Sequence, residues 1–172
     1  MTAFKGYSIG LGLPYKVQMA TIRLRASIDS ALKYETPFDA NQTPHITVVR
    51  DIDAQAVDEA SKIVLAALPL NITMAEMHTF NMPDYDVLVK KSDTPKIKKL
   101  NTELCTQFSL SFPYVFSAHI TVAFLKSNAR INLVDIEKSI RIPQQFTVDT
   151  VLIFNPKGIV TNIIRSENSE PF

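Results

Sequence analysis

A chain of 172 residues, 46% hydrophobic and 20% charged, suits one domain with a sizeable core and is too apolar for disorder. A formal net charge of +1 argues against a broad cationic surface for nucleic acid, while a nucleotide or short oligonucleotide in a local cleft stays open. No apolar run reaches the roughly 20 residues that span a bilayer. Met1-Thr2-Ala3-Phe4-Lys5 lacks a signal-peptide pattern, and the single cysteine, Cys105, fits a reducing compartment. The expectation is a cytoplasmic protein with no membrane attachment and no obligate protein partner.

In chain order, Phe4 to Leu11 reads as a strand running into a turn at Gly10-Leu11-Gly12-Leu13-Pro14. That Gly-x-Gly lacks the third glycine of a dinucleotide loop and the Lys-Ser/Thr of a P-loop. Val17, Ala20, Leu24, Ile28, Ala31 and Leu32 recur at helical spacing and predict an amphipathic helix from Lys16 to Tyr34. A polar loop, Glu35 to Gln42, leads to the strand His45-Ile46-Thr47-Val48. Asp53 is expected to cap a helix with Val57, Ala60, Val64 and Leu68 on its apolar stripe, ended by Pro69. Leu70 to Phe80 and Tyr85 to Lys90 form a predicted hairpin around Asn81-Met82-Pro83-Asp84. Thr94-Pro95, with a capping hydroxyl and a proline at the first turn, opens a helix that turns Ile97, Leu100, Leu104 and Phe108 inward. A strand from Tyr114 to Leu125 follows, then a short helix capped by Asn132 and stopped by Pro143. Phe146 to Phe154 and Gly158 to Arg165 are the last predicted strands, and Ser166 to Phe172 a flexible tail.

Two stretches of this chain echo one another. Strand, helix, His-Ile-Thr-Val strand, helix, strand describes residues 4–80 and again 85–154, with His45 and His119 74 residues apart. We read the repeat as internal duplication: a single domain, 1–172, of two lobes at about 4–80 and 85–165. Facing lobes would bring both histidines to one cleft near a pseudo-two-fold axis. Side chains alternate along a strand, so His45 and Thr47 share one face, as do His119 and Thr121, while Ile46, Val48, Ile120 and Val122 turn to the core.

Imidazole gives or takes a proton near neutral pH, and two imidazoles flanking a phosphodiester suit a displacement at phosphorus. One, uncharged, would deprotonate the attacking oxygen. The other, protonated, would supply a proton to the departing one, with the threonine hydroxyls donating to the non-bridging oxygens. Zinc would need three or four ligands, and neither motif brings a second one at ligand spacing, so no metal is expected. His78, on a separate predicted strand near a turn, reads as structural, and Cys105 as a packed thiol. Thr43 and Ser117 lie two residues before the histidines and could line the cleft. Tyr7 and Tyr15 are placed to meet a base. Tyr114, Phe116 and Phe124 read as packing residues, and Arg50 and Lys126 as solvated strand ends.

His45-Ile46-Thr47 and His119-Ile120-Thr121, the second running on as His-Ile-Thr-Val-Ala-Phe, resemble the paired His-x-Thr/Ser motifs of the two-histidine (2H) phosphoesterase superfamily, which includes the LigT-like cyclic phosphodiesterase and 2′-5′ RNA ligase proteins. The first motif departs from the usual form in ending Val49-Arg50, where an apolar or aromatic residue is commoner. The resemblance implies an α+β fold in which two antiparallel sheets line a central cleft with helices outside. It also implies hydrolysis, without metal or cofactor, of a cyclic or 2′-linked phosphodiester of a nucleotide or oligonucleotide. His45 and His119 would be acid and base, and Thr47 and Thr121 would hold phosphate. Some members of that superfamily destroy nucleotide signals of antiviral defence. A non-catalytic nucleotide- or RNA-binding module and RNA-end processing or ligation are the alternatives.

Overall fold

The computed structural model describes residues 5–35 and 43–167, so most of the expected polar loop and the end of the expected tail lie outside it. The elements run β1 (Tyr7–Gly12), α1 (Tyr15–Ser27), β2 (His45–Ile52), α2 (Val57–Ala66), β3 (Leu70–Asn81), β4 (Tyr85–Ser92), α3 (Pro95–Gln107), β5 (His119–Lys126), α4 (Leu133–Ser139), β6 (Gln145–Val148), β7 (Thr150–Phe154) and β8 (Val160–Arg165). This is the expected α+β class. No helix among the described residues is long and apolar enough to cross a membrane.

All neighbouring strands are antiparallel, in the order β6-β3-β4-β5-β2-β1-β7-β8. The eight strands form one sheet rather than the two expected, and its two four-stranded halves meet at β5 and β2, where a single registered pair, Ile46 opposite Ile120, joins them. The third strand of each sequence repeat crosses over: β3 pairs with β4, and β7 with β1. Residues Phe146 to Phe154, expected as one strand, are therefore two. β6 pairs with β3 in one half and β7 with β1 in the other, with only Asp149 between them. Two strands one residue apart can occupy distant places in the strand order only if the sheet curls until those places approach.

Alternation along β2 and β5 sends Ile46, Val48, Ile120 and Val122 into the core at 0% exposure, each contributing roughly 1.5–3 kcal/mol of burial. Ile9 and Leu11 of β1 join them, covered by Val17 and Leu24 of α1, Ala60 and Val64 of α2, and Ile97 and Leu104 of α3. The opposite face of the central strands is left to half-buried polar residues.

Four local expectations are corrected. Helix α1 stops at Ser27 rather than reaching Tyr34, because Asp29 accepts a hydrogen bond from the Ala31 N–H and folds Ser30–Leu32 into a 3₁₀ turn. The chain then lies beside β5, where Tyr34 N–H donates to the Phe124 carbonyl. Asp53 does not cap α2; its carbonyl accepts from Ala56 N–H in a turn before the helix. The Thr94 hydroxyl accepts from Thr73 N–H across the sheet instead of capping α3, though Pro95 does sit in the first turn. Strand β5 begins at His119, not Tyr114. The Asn132 cap on α4 is present, accepting from Val134 N–H at 3.1 Å.

Candidate active site

Ile46 and Ile120 sit at the seam between the two repeats, and their side chains point to the core. Their sequence neighbours His45, Thr47, His119 and Thr121 must then stand together on the other face. Continuing the antiparallel register by one residue sets His45 across from Thr121, and Thr47 across from His119. On that ideal register the two histidines would lie on the diagonal, roughly 7–8 Å apart at the backbone, and His119 is near enough to His45 to disfavour its charge. One pair of isoleucines thus brings all four candidate catalytic residues together.

Each imidazole is held by its own strand. His45 Nδ1 lies 2.8 Å from the Thr43 carbonyl, and His119 Nδ1 lies 2.6 Å from the Ser117 carbonyl. A carbonyl only accepts, so both Nδ1 atoms carry hydrogen, and in the neutral ring the lone pair is at Nε2. On His45 that lone pair faces the Thr47 hydroxyl, 3.1 Å away, which donates to it. Burial holds His45 down from the usual 6.5 to about 4. The Thr43 carbonyl opposes that shift, while the charges of His119 and Arg25 add to it. His119 is lowered too, by burial, against the pull of the Ser117 carbonyl. Both rings are therefore neutral at pH 7 before any anion enters.

Two phenylalanines flank the rings. Phe154 tilts over His45 with centroids 4.2 Å apart, and Phe80 meets His119 edge-on at 5.1 Å. Phe154 follows Phe80 by 74 residues, the spacing of the histidines themselves. Because β3 and β7 cross over, the phenylalanine of each repeat rests on the histidine of the other. Gly10 makes room for the first contact: a Cβ there would lie 2.9 Å from His45 Cδ2 and 3.2 Å from Phe154 Cε2.

Beyond the Ile46–Ile120 pair, helix side chains tie into the two central strands. Arg25 of α1 donates through Nε to the Val122 carbonyl at 2.7 Å and through Nη2 to that of Thr121 at 3.3 Å. Asn101 of α3 donates to the Val48 carbonyl at 2.8 Å. Val48 and Val122 each stand three residues after a motif histidine, so the two repeats solve the same problem at matching places. One uses a cation and the other a neutral amide.

The remaining expected site residues divide. Thr43 and Ser117 belong to the site, but the role seen for each is its backbone carbonyl rather than its hydroxyl. Tyr7 is out of place: it opens β1 opposite Ile52 and packs against the core, while the other end of β1, Gly12, is level with His45. Tyr15 begins α1 just past that end, with 76% of its surface exposed. Tyr114 is no core residue but is exposed, with the Arg50 guanidinium 4.7 Å from its ring. Phe116 packs against the core, and the Cys105 thiol is half-buried and pushed up by burial. Among the described residues no three His, Cys, Asp or Glu side chains gather as a metal-binding group. Arg25, Asn101, Phe80 and Phe154 were missed in the sequence.

A curled antiparallel sheet with two facing His-x-Thr strands at its centre is the plan of a two-histidine phosphoesterase. The family model described as the 2′-5′ RNA ligase superfamily matches residues 13–158, and the chain belongs to that superfamily. The fold is similar to that of Escherichia coli LigT solved with 3′-AMP (TM-score 0.64, 15% identity, covering 97% of this chain and 100% of that one). It is also similar to the TT0787 protein of Thermus thermophilus (0.58, 15%, 95% and 100%). A third likeness is to Kluyveromyces marxianus Usb1 solved with uridine monophosphate (0.51, 9%, 92% and 95%). No curated protein sequence matches the chain.

Proposed function

We propose that the protein is a metal-independent phosphodiesterase that hydrolyses a cyclic or 2′-linked phosphodiester of a nucleotide or oligonucleotide by two-histidine acid–base catalysis. The observation that carries this reading is the tautomer lock: both histidines spend Nδ1–H on a carbonyl, leaving Nε2 as the proton-transfer atom. His45 is the base, since burial, Arg25 and His119 all disfavour its protonated form. Its Nε2 takes the proton of the attacking water as the O–P bond forms. His119 is the acid. The negative phosphate raises its proton affinity on binding, and its Nε2–H passes to the departing oxygen as that P–O bond breaks. Thr47, whose hydroxyl turns from His45 Nε2 to the substrate once phosphate enters, and Thr121 donate to the non-bridging oxygens, where charge accumulates. The nucleotides in the LigT and Usb1 structures support the substrate class.

The test is a panel of 2′,3′-cyclic, 3′,5′-cyclic, 2′-5′-linked and cyclic oligonucleotide substrates in excess EDTA, with products identified by mass. Cleavage of at least one is expected, with His45→Ala and His119→Ala each slower by about 10²-fold or more. On a p-nitrophenyl ester, whose leaving group needs no proton, His119→Ala should regain activity and His45→Ala should not. Full activity of either folded variant on the natural-type substrate sinks the proposal. Binding without turnover would instead favour a nucleotide-binding module.

A further inference from the structure

The two halves of the active-site face are not chemically alike. In the β1/β7 half, Gly12 pairs with His45, and Gly10 pairs with Thr47 and, on its other side, with Leu152. The same positions in the other half follow from register: Lys91 pairs with His119, and Val89 pairs with Thr121 and, on its other side, with His78. Paired residues of a sheet project to one face. Lys91 and His78 therefore stand on the face that carries His119, where the other half has glycine and leucine. The fold itself requires no cation or imidazole at these positions, because the equivalent half is built without them.

The surroundings fit an anion. Lys91 Nζ is 4.0 Å from Glu76, a carboxylate 68% exposed, so its partner is loose and easily displaced. Lys91 itself is 28% exposed, open on one side rather than packed away. His78 is half-buried and touches Phe80 edge-on at 5.3 Å, and Phe80 touches His119 at 5.1 Å. Phe80 is thus in ring contact with both a motif histidine and the third histidine. Strands are about 4.8 Å apart, which puts Lys91 one strand and His78 two strands from β5. A substrate whose chain runs from His119 across β4 toward β3 would pass both side chains.

We propose that Lys91 and His78 form a second phosphate-binding position beside His119, so that the preferred substrate carries at least one phosphate besides the one attacked. The proposal rests on the phosphodiesterase reading above and narrows its substrate to a short oligonucleotide or a multiply phosphorylated nucleotide. Lys91 supplies the charge once Glu76 lets go, and His78 donates an imidazole N–H. The neutral Gly10–Gly12–Leu152 half is the place for the uncharged end of the substrate.

The experiment compares substrates that share a scissile bond and differ by one phosphate. The pairs are adenosine 2′,3′-cyclic phosphate with and without a 5′-phosphate, and 2′-5′ diadenylate with and without a 5′-phosphate. The wild type should favour the extra phosphate by about 10-fold in kcat/KM, and about 200 mM salt should shrink that preference relative to about 50 mM. Lys91→Met should bring the ratio near one, and His78→Leu, the residue used at the equivalent Leu152, should lower it. A wild-type ratio of one, or a ratio that survives in Lys91→Met, overturns this inference alone. Failure of the wild type to cleave any substrate overturns it together with the proposed reaction.

Discussion

His45 shows how one residue carries both chemistry and a cost in stability. In the unfolded chain it titrates near 6.5, and in the folded protein at about 4. Between those values the unfolded state binds more protons, so stability falls as pH drops from 6.5 toward 4 and is fully present above 6.5. The shift corresponds to on the order of 3 kcal/mol. Urea unfolding at about pH 7.5 and 4.5 should therefore show a larger acid loss for the wild type than for His45→Gln, by roughly 2–3 kcal/mol. Carboxylates titrate in both proteins and cancel in that comparison. Identical pH dependence would show that the fold does not oppose protonation of this ring. Strand alternation made the histidine and its threonine legible in the sequence. Arg25 was not legible, since the carbonyls it meets belong to a strand almost 100 residues later.

Strand β4 carries a different asymmetry. Lys90 pairs with Ile120 as Leu11 pairs with Ile46, so a lysine occupies the core-facing position where the other half has a leucine at 0% exposure. Its side chain is 4% exposed, and its ammonium is held by Glu137 of α4, a helix with no fully buried residue of its own. Burying such a pair seldom stabilises relative to an apolar residue of similar volume, whereas removing one partner strands a charge. Lys90→Met should leave stability unchanged or raise it by roughly 1 kcal/mol, and Glu137→Ala should lower it by roughly 2 kcal/mol. Both values are readable from urea midpoints, and a clear loss in Lys90→Met would mean the pair contributes more than its desolvation costs. The hydrophobic stripes located α2, α3 and the hairpin correctly because their signals are local. The end of α1 and the break at Asp149 were hidden, because an Asp side chain and partners on two different edges decide them.

The crossed third strands govern the molecule as a whole. Sequence repetition marks two related units, but a repeat in sequence does not say which strands pair. Here each unit lends a strand to the other, and each lends a phenylalanine to the other's histidine. The 74-residue interval shared by the histidines and the phenylalanines was present in the sequence; what it meant depended on that exchange. Neither unit alone can then bury its own strands: residues 1–82 leave β1 without β7 and β3 without β4. Such a fragment, and its complement 83–172, should each lack native-like NMR dispersion, and the intact chain should unfold in one transition by circular dichroism and tyrosine fluorescence. Two separated transitions, or a folded 1–82 fragment, would show that the halves are stable apart. With one transition, the distance between the histidines is fixed by the same cooperative unit that holds the sheet together. Weakening β7 against β1 should then slow catalysis and lower stability together: Ile153→Ala, 3% exposed on the core side of that strand opposite Ile9, is expected to cost roughly 2–4 kcal/mol. Its activity should fall with the folded fraction on warming rather than independently of it.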